Sequence, residues 1–161
     1  MKALLLFKSF GNAVMLCLCF GTVHADDVAK MRLDAPSITM TTTTDLNFVP
    51  LDAKDTTGKG PKIALLFGEL KTQAPVAFLA WLPPGYRAGP HSHRSDSYLV
   101  GIKGRYHEFS PGQKEGKPMG IGGHLRCPAN VVHDNHCDAK GGPCLNYAYY
   151  PNGFDVQHPK P

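Results

Sequence analysis

From residue 46 onward apolar residues nowhere recur at helical spacing over three turns, and that constrains the fold more than any other feature. The chain instead alternates short β-type runs with turn residues. The runs are "LNFVPL", "KIALLFGEL", "APVAFLAWL", "SYLVGI", "RYHEF", "NVVHDNHC", "CLNYAYY" and "FDVQH". They are rich in Val, Leu, Phe and Tyr, and nearly all are shorter than about ten residues, as strands are. Seventeen glycines and fourteen prolines punctuate the chain, as many tight turns require. About nine short strands in one domain predict an all-β sandwich or jelly-roll barrel rather than an α/β fold.

The first residues read differently. "MKALLLFKSFGNAVMLCLCFGTVHA" has Lys2 and Lys8 near its start, an apolar run from Ala13 to Phe20, and a small-x-small close at Val23-His24-Ala25. That pattern predicts a cleaved signal peptide over 1–25, hence a secreted or periplasmic protein. An uncleaved anchor or a lipoprotein is the alternative, although no small residue directly precedes Cys17 or Cys19. Residues 26–45 are polar and threonine-rich and are expected to form a flexible N-terminal segment. Residues 46–161 then form one domain, long enough to bury roughly two thirds of its unfolded surface.

Loss of the leader's two lysines lowers the formal charge from +4 to +2, and the remaining charges are scattered. No basic stripe recommends a nucleic-acid partner, and no second hydrophobic segment spans a membrane in the mature chain. Three cysteines remain, Cys127, Cys137 and Cys144, and export would place them in an oxidising compartment. "CDAKGGPC" sets Cys137 and Cys144 at the two ends of a turn, where facing hairpin positions favour a disulfide. Cys127 is then the odd thiol. Three small buried hydrophobes are the alternative.

"GPHSHRSDSYLVGIKG" carries the chemistry. In a strand, His91 and His93 share one face, and neutral imidazole is a good ligand for Zn, Cu, Fe and Ni. An H-x-H pair alone is weak evidence. Here Gly85 stands five residues ahead of His91, Ser97 follows His93 after three, and Gly104 follows after six more. Further on, "GGHLRCPANVVHDNHC" holds Gly122, Pro128, Asn130, His133 and Cys137 at a second fixed spacing.

These two stretches resemble the two signatures of the cupin superfamily over residues 62 to 150, and more narrowly small single-domain cupins of the DUF4437 and ChrR-like type. The resemblance implies a cupin-type jelly-roll β-barrel with His91, His93 and His133 as metal ligands. Ser97 departs from the pattern, because the family has glutamate there, and a neutral hydroxyl is a poor substitute. Asn130 stands at a glycine position, which suits a residue that tolerates positive φ. Ser97, Tyr98, Tyr106 and His107 are the pocket candidates. His136 has the wrong parity for ligation, and Glu108 with Asp96 is a loose candidate for paired carboxylates.

A three-nitrogen site that folds outside the cytoplasm favours zinc or copper over iron. Two functional classes follow. One is a metal-dependent enzyme, an oxidoreductase of the dioxygenase kind or a zinc hydrolase or lyase. The other is a non-catalytic module that binds or senses a metal or small ligand. A carboxylate beside the metal would favour the enzyme. A small molecule is the expected partner either way, and exposed edge strands are compatible with a homodimer.

Overall fold

A computed structural model describes residues 40–159, so the expected leader and residues 26–39 of the flexible segment lie outside the described residues. After a short 3-10 turn at Thr43–Asp45, the chain forms eight strands. They are β1 (Val49–Pro50), β2 (Lys62–Phe67), β3 (Val76–Leu82), β4 (Ser97–Lys103), β5 (Tyr106–Phe109), β6 (His124–Cys127), β7 (Asp134–Cys137) and β8 (Cys144–Tyr150). Six pair antiparallel in the order β1-β2-β3-β8-β4-β6, while β5 and β7 form a separate ribbon.

The pleat decides which side chains meet. Along β8, Cys144, Asn146, Ala148 and Tyr150 are buried and alternate with partly exposed residues. Along β4, Ser97, Leu99 and Gly101 face inward, while Tyr98, Val100 and Ile102 face out. Ile63, Val76, Phe78, Leu82, Leu99, Tyr106, Ala148 and Tyr150 make up the core. The Phe78 and Tyr150 rings stack at 5.7 Å.

The architecture is all-β with two sheets, but the expected closed barrel is not formed. β1 and β6 are open edges of the large sheet, and β5 and β7 pair only with each other. Single bridges such as His91↔His133, Arg87↔His136 and Ser92↔Gln157 take the place of continuous ladders. The cause is local. Gly104 turns the chain out of β4 at φ 85, where a Cβ would collide with the Cys144 backbone at 2.7 Å. Past Ser97↔Cys127 the β4–β6 ladder stops, and the same register returns only at the single bridge His91↔His133.

The Cys137–Cys144 disulfide is formed, with its Cα atoms 5.7 Å apart. It joins the end of β7 to the start of β8 and so ties the ribbon to the large sheet. Cys127 is free and buried.

Candidate metal centre

His91 and His133 face each other across two backbone hydrogen bonds. His91 N donates to His133 O at 2.9 Å, and His133 N donates back to His91 O at 2.8 Å. Facing residues of such a pair place their side chains on one face, and His93, two residues on, shares it. The return loop fixes the register. Asn130 takes φ 61, the only positive φ outside glycine among the described residues, and its N–H donates to His93 O at 2.7 Å.

The three imidazoles are nearly inaccessible, at 5%, 6% and 4% exposure for His91, His93 and His133. Their ring centres lie 4.3 to 5.2 Å apart. One nitrogen from each ring lies within 4.8 Å of the other two. Every Nδ1 is held by a backbone carbonyl: His91 by Gly89 O at 2.8 Å, His133 by Val131 O at 2.9 Å, and His93 by Asp155 O. A carbonyl only accepts, so each Nδ1 carries the proton and each Nε2 is left with its lone pair.

Burial lowers the pKa of His91, and lowers that of His93 to about 4, against weaker support from their carbonyl partners. Both rings are therefore neutral near pH 7, the form that binds metal. Three imidazole nitrogens suit a borderline transition cation and not magnesium or calcium, which prefer oxygen.

The cluster lies on the wall of a cavity of about 490 Å³. Ser97, 2% exposed, lines it, as do Tyr106 and Glu108. Glu108, which the sequence offers only as a loose partner for Asp96, is the residue that motif spacing does not reach. It projects from β5 with a carboxylate oxygen within 4.8 Å of donor atoms on His133 and Cys127. The Tyr106 hydroxyl donates to Glu108 Oε2 at 2.6 Å. The carboxylate absent at position 97 thus has a counterpart on another strand. Parity with inward-facing Tyr106 is the sequence signal that could have found it. Burial first, then Glu108, pushes the Cys127 thiol up to about 12, so Cys127 is a neutral neighbour of His133 at 3.3 Å.

Two pocket candidates lie elsewhere. Tyr98 is 40% exposed on the outward face of β4, where pleat alternation places it. His107 is buried on the outer face of the β5–β7 ribbon, stacked on His136 at 4.4 Å. Nor are Asp96 and Glu108 a catalytic pair. Asp96 accepts from Arg126 Nη2 at 2.7 Å and from Ala129 N at 2.9 Å, and so serves the 126–129 turn.

Fold and site together define a small all-β protein with a three-histidine cluster capable of metal coordination. Among solved structures, cupins share this fold. The chain is similar to an RmlC-like cupin from Shewanella frigidimarina, at 21% identity and TM-score 0.53, over 71% of this chain and 92% of that one. It is similar to the DMSP lyase DddQ from Ruegeria pomeroyi, at 14% identity and TM-score 0.55, over 86% and 78%. KdgF from Halomonas sp. gives 12% identity and TM-score 0.54, over 71% and 95%. No protein-family model and no curated protein sequence matches the chain.

Proposed function

We propose that the protein is a secreted or periplasmic metal-dependent enzyme that transforms a small molecule in this cavity, with Glu108 as its proton-transfer group. One observation carries the reading: three imidazoles oriented through Nδ1 by backbone carbonyls, with a carboxylate on the same wall. A bound divalent transition metal, zinc or copper before iron, would polarise a substrate oxygen there. Glu108 is then placed to take a proton from substrate and return it, and Tyr106 holds one of its oxygens in position. Proton chemistry of this kind favours a lyase or hydrolase, and a lyase stands among the structural neighbours.

Oxidoreductase chemistry is the second reading. It is favoured by Ser97, whose hydroxyl leaves coordination positions open where a glutamate would fill one. The disulfide supports placement outside the cytoplasm, as the leader sequence does. Tyr98, Val100 and Ile102 form a half-exposed outward row that suits a homodimer.

Elemental mass spectrometry of tag-free protein, with His93→Ala beside it, tests the centre. About one transition metal per chain in the parent and none in the variant supports it. A screen of small carboxylates, DMSP included, then compares the parent with Glu108→Gln. A variant that keeps its metal and loses turnover supports the role of Glu108, and unchanged turnover rejects it.

A further inference from the structure

Asn146 sits midway along β8, in the inward row that Cys144, Ala148 and Tyr150 complete. It is 1% exposed and lines the cavity of the three histidines. Among the described residues, neither Nδ2 nor Oδ1 has a hydrogen-bond partner. Its cross-strand neighbours, Ala80 on β3 and Gly101 on β4, offer no polar side chain. A buried amide with both ends unpaired weakens a fold, and a leucine of similar size would not. Folding therefore does not account for this carboxamide.

Its position along the strand does. At the far end of the same row, the Tyr150 ring packs 5.2 Å from the His93 ring. The two positions are four steps apart along the strand, so β8 spans about 13 Å between the histidine end and the amide end. The wall between them is apolar, formed by Ala148, Leu99 and Phe78. A ligand that fills this space has an apolar middle, one end at the imidazoles and Glu108, and a polar group at Asn146.

The amide also selects that group. Nδ2 donates and Oδ1 accepts, so full pairing needs a partner that both accepts and donates. A carboxylate only accepts and would leave Oδ1 facing negative charge, and an ammonium only donates. A hydroxyl or a primary carboxamide does both. We infer that Asn146 is a specificity residue that recognises a neutral hydroxyl or carboxamide at the end of the substrate remote from the histidines. The inference rests on the enzymatic reading of the same cavity.

The test uses ω-hydroxy- and ω-carboxamido-carboxylates of about four to eight carbons, with unsubstituted carboxylates and α,ω-dicarboxylates as comparators. Binding is followed by calorimetry on the parent, Asn146→Leu and Asn146→Ala, each zinc-loaded and chelator-stripped. Metal content and Tm are measured on the same samples. The parent should prefer the hydroxyl- or carboxamide-ended ligands by about tenfold at one chain length, the worth of one neutral hydrogen-bonding group. Both variants should keep the parent's metal content and lose that preference. Asn146→Leu should also melt no lower than the parent.

A parent with no preference at any length overturns the inference, as does a preference that survives in both variants. A lower Tm in Asn146→Leu with preference intact identifies a structural amide bonded to buried water, and overturns it too. Absence of metal from the parent is a separate failure, of the metal centre. The stripped samples keep the Asn146 comparison readable in that case.

Discussion

Among the described residues two histidine clusters lie on opposite sides of the β5–β7 ribbon, and the inner one is the better built to hold a metal. The inner one joins His91, His93 and His133. The outer one joins His107, His136 and Glu115, whose donor atoms also lie within 4.8 Å of one another. By residue type the outer set is the richer, since it contains a carboxylate. Yet Glu115 is already ion-paired with Arg87, which also reaches Asp134 at 3.4 Å. The outer carboxylate has its cation, and its side chain is 37% exposed, so water weakens any further attraction. The inner imidazoles are buried and aimed by backbone carbonyls. Orientation and the lack of a competing cation separate the two sites.

Removing one ligand should expose that difference most sharply. His93→Ala should lower affinity for zinc by at least about a hundredfold, more than the loss of an outer-shell partner does. His136→Ala and Glu115→Gln should leave the stoichiometry at about one per chain. Competition titration with a chromogenic chelator measures all three. Equal losses from the inner and outer variants would erase the distinction.

The next effect falls on both clusters together. His136 lies on β7 and His133 directly precedes it, and the disulfide anchors that strand to β8. Replacing Cys137 and Cys144 by serine frees a short loop, for which chain entropy predicts a loss of about 2.5 kcal/mol. Urea unfolding gives the value. A loss below about 0.5 kcal/mol would mean that ladder hydrogen bonds alone hold the ribbon.

Acid acts on both clusters, since burial lowers the pKa of His136 too, and most strongly on the inner one. In metal-stripped protein the folded-state pKa of His93 lies near 4, below its ordinary 6.5, and that of His91 is lowered as well. Between those values the unfolded chain binds protons that the folded chain refuses. Stability is therefore fully present above about pH 6.5 and lost as pH falls towards 4, by on the order of 3 kcal/mol for His93. Denaturation midpoints at several pH values test this. The slope should flatten in His93→Ala and persist in Glu115→Gln.

How much of this was legible beforehand depends on the range of the cause. The apolar runs located seven of the strands because alternation is written locally. β6 was passed over because "HLRC", between glycine and proline, has too little apolar character to register. "FDVQH" contributes a single bridge, Ser92↔Gln157, and not a strand. Its larger role is to hold His93 through Asp155 O, a contact 62 residues distant that no local pattern encodes. Whether a barrel closes depends on ladder continuity across Gly104 and the 128–131 turn, where hydrophobicity is silent. His91 and His93 show their shared face by parity. His133 needed the second signature, and Glu108 and Asn146 were legible only as polar residues on inward rows.

Glu108 permits the finest test, because its nearest reporter is a thiol. Burial is the main reason Cys127 is pushed up to about 12, and Glu108 adds to it through charge and hydrogen bonding. Glu108→Gln removes the charge and leaves the burial, so the thiol should become only modestly more acidic. Alkylation by iodoacetamide at about pH 8, in stripped protein, should then speed up by about threefold, since the thiolate is the reacting species. Glu115→Gln, which alters the outer carboxylate, should leave the rate unchanged. A Glu108→Gln rate equal to the parent's would place the carboxylate away from Cys127, and so away from His133. A gain larger than about a hundredfold would mean that the ribbon had opened and that Cys127 was labelled through lost burial.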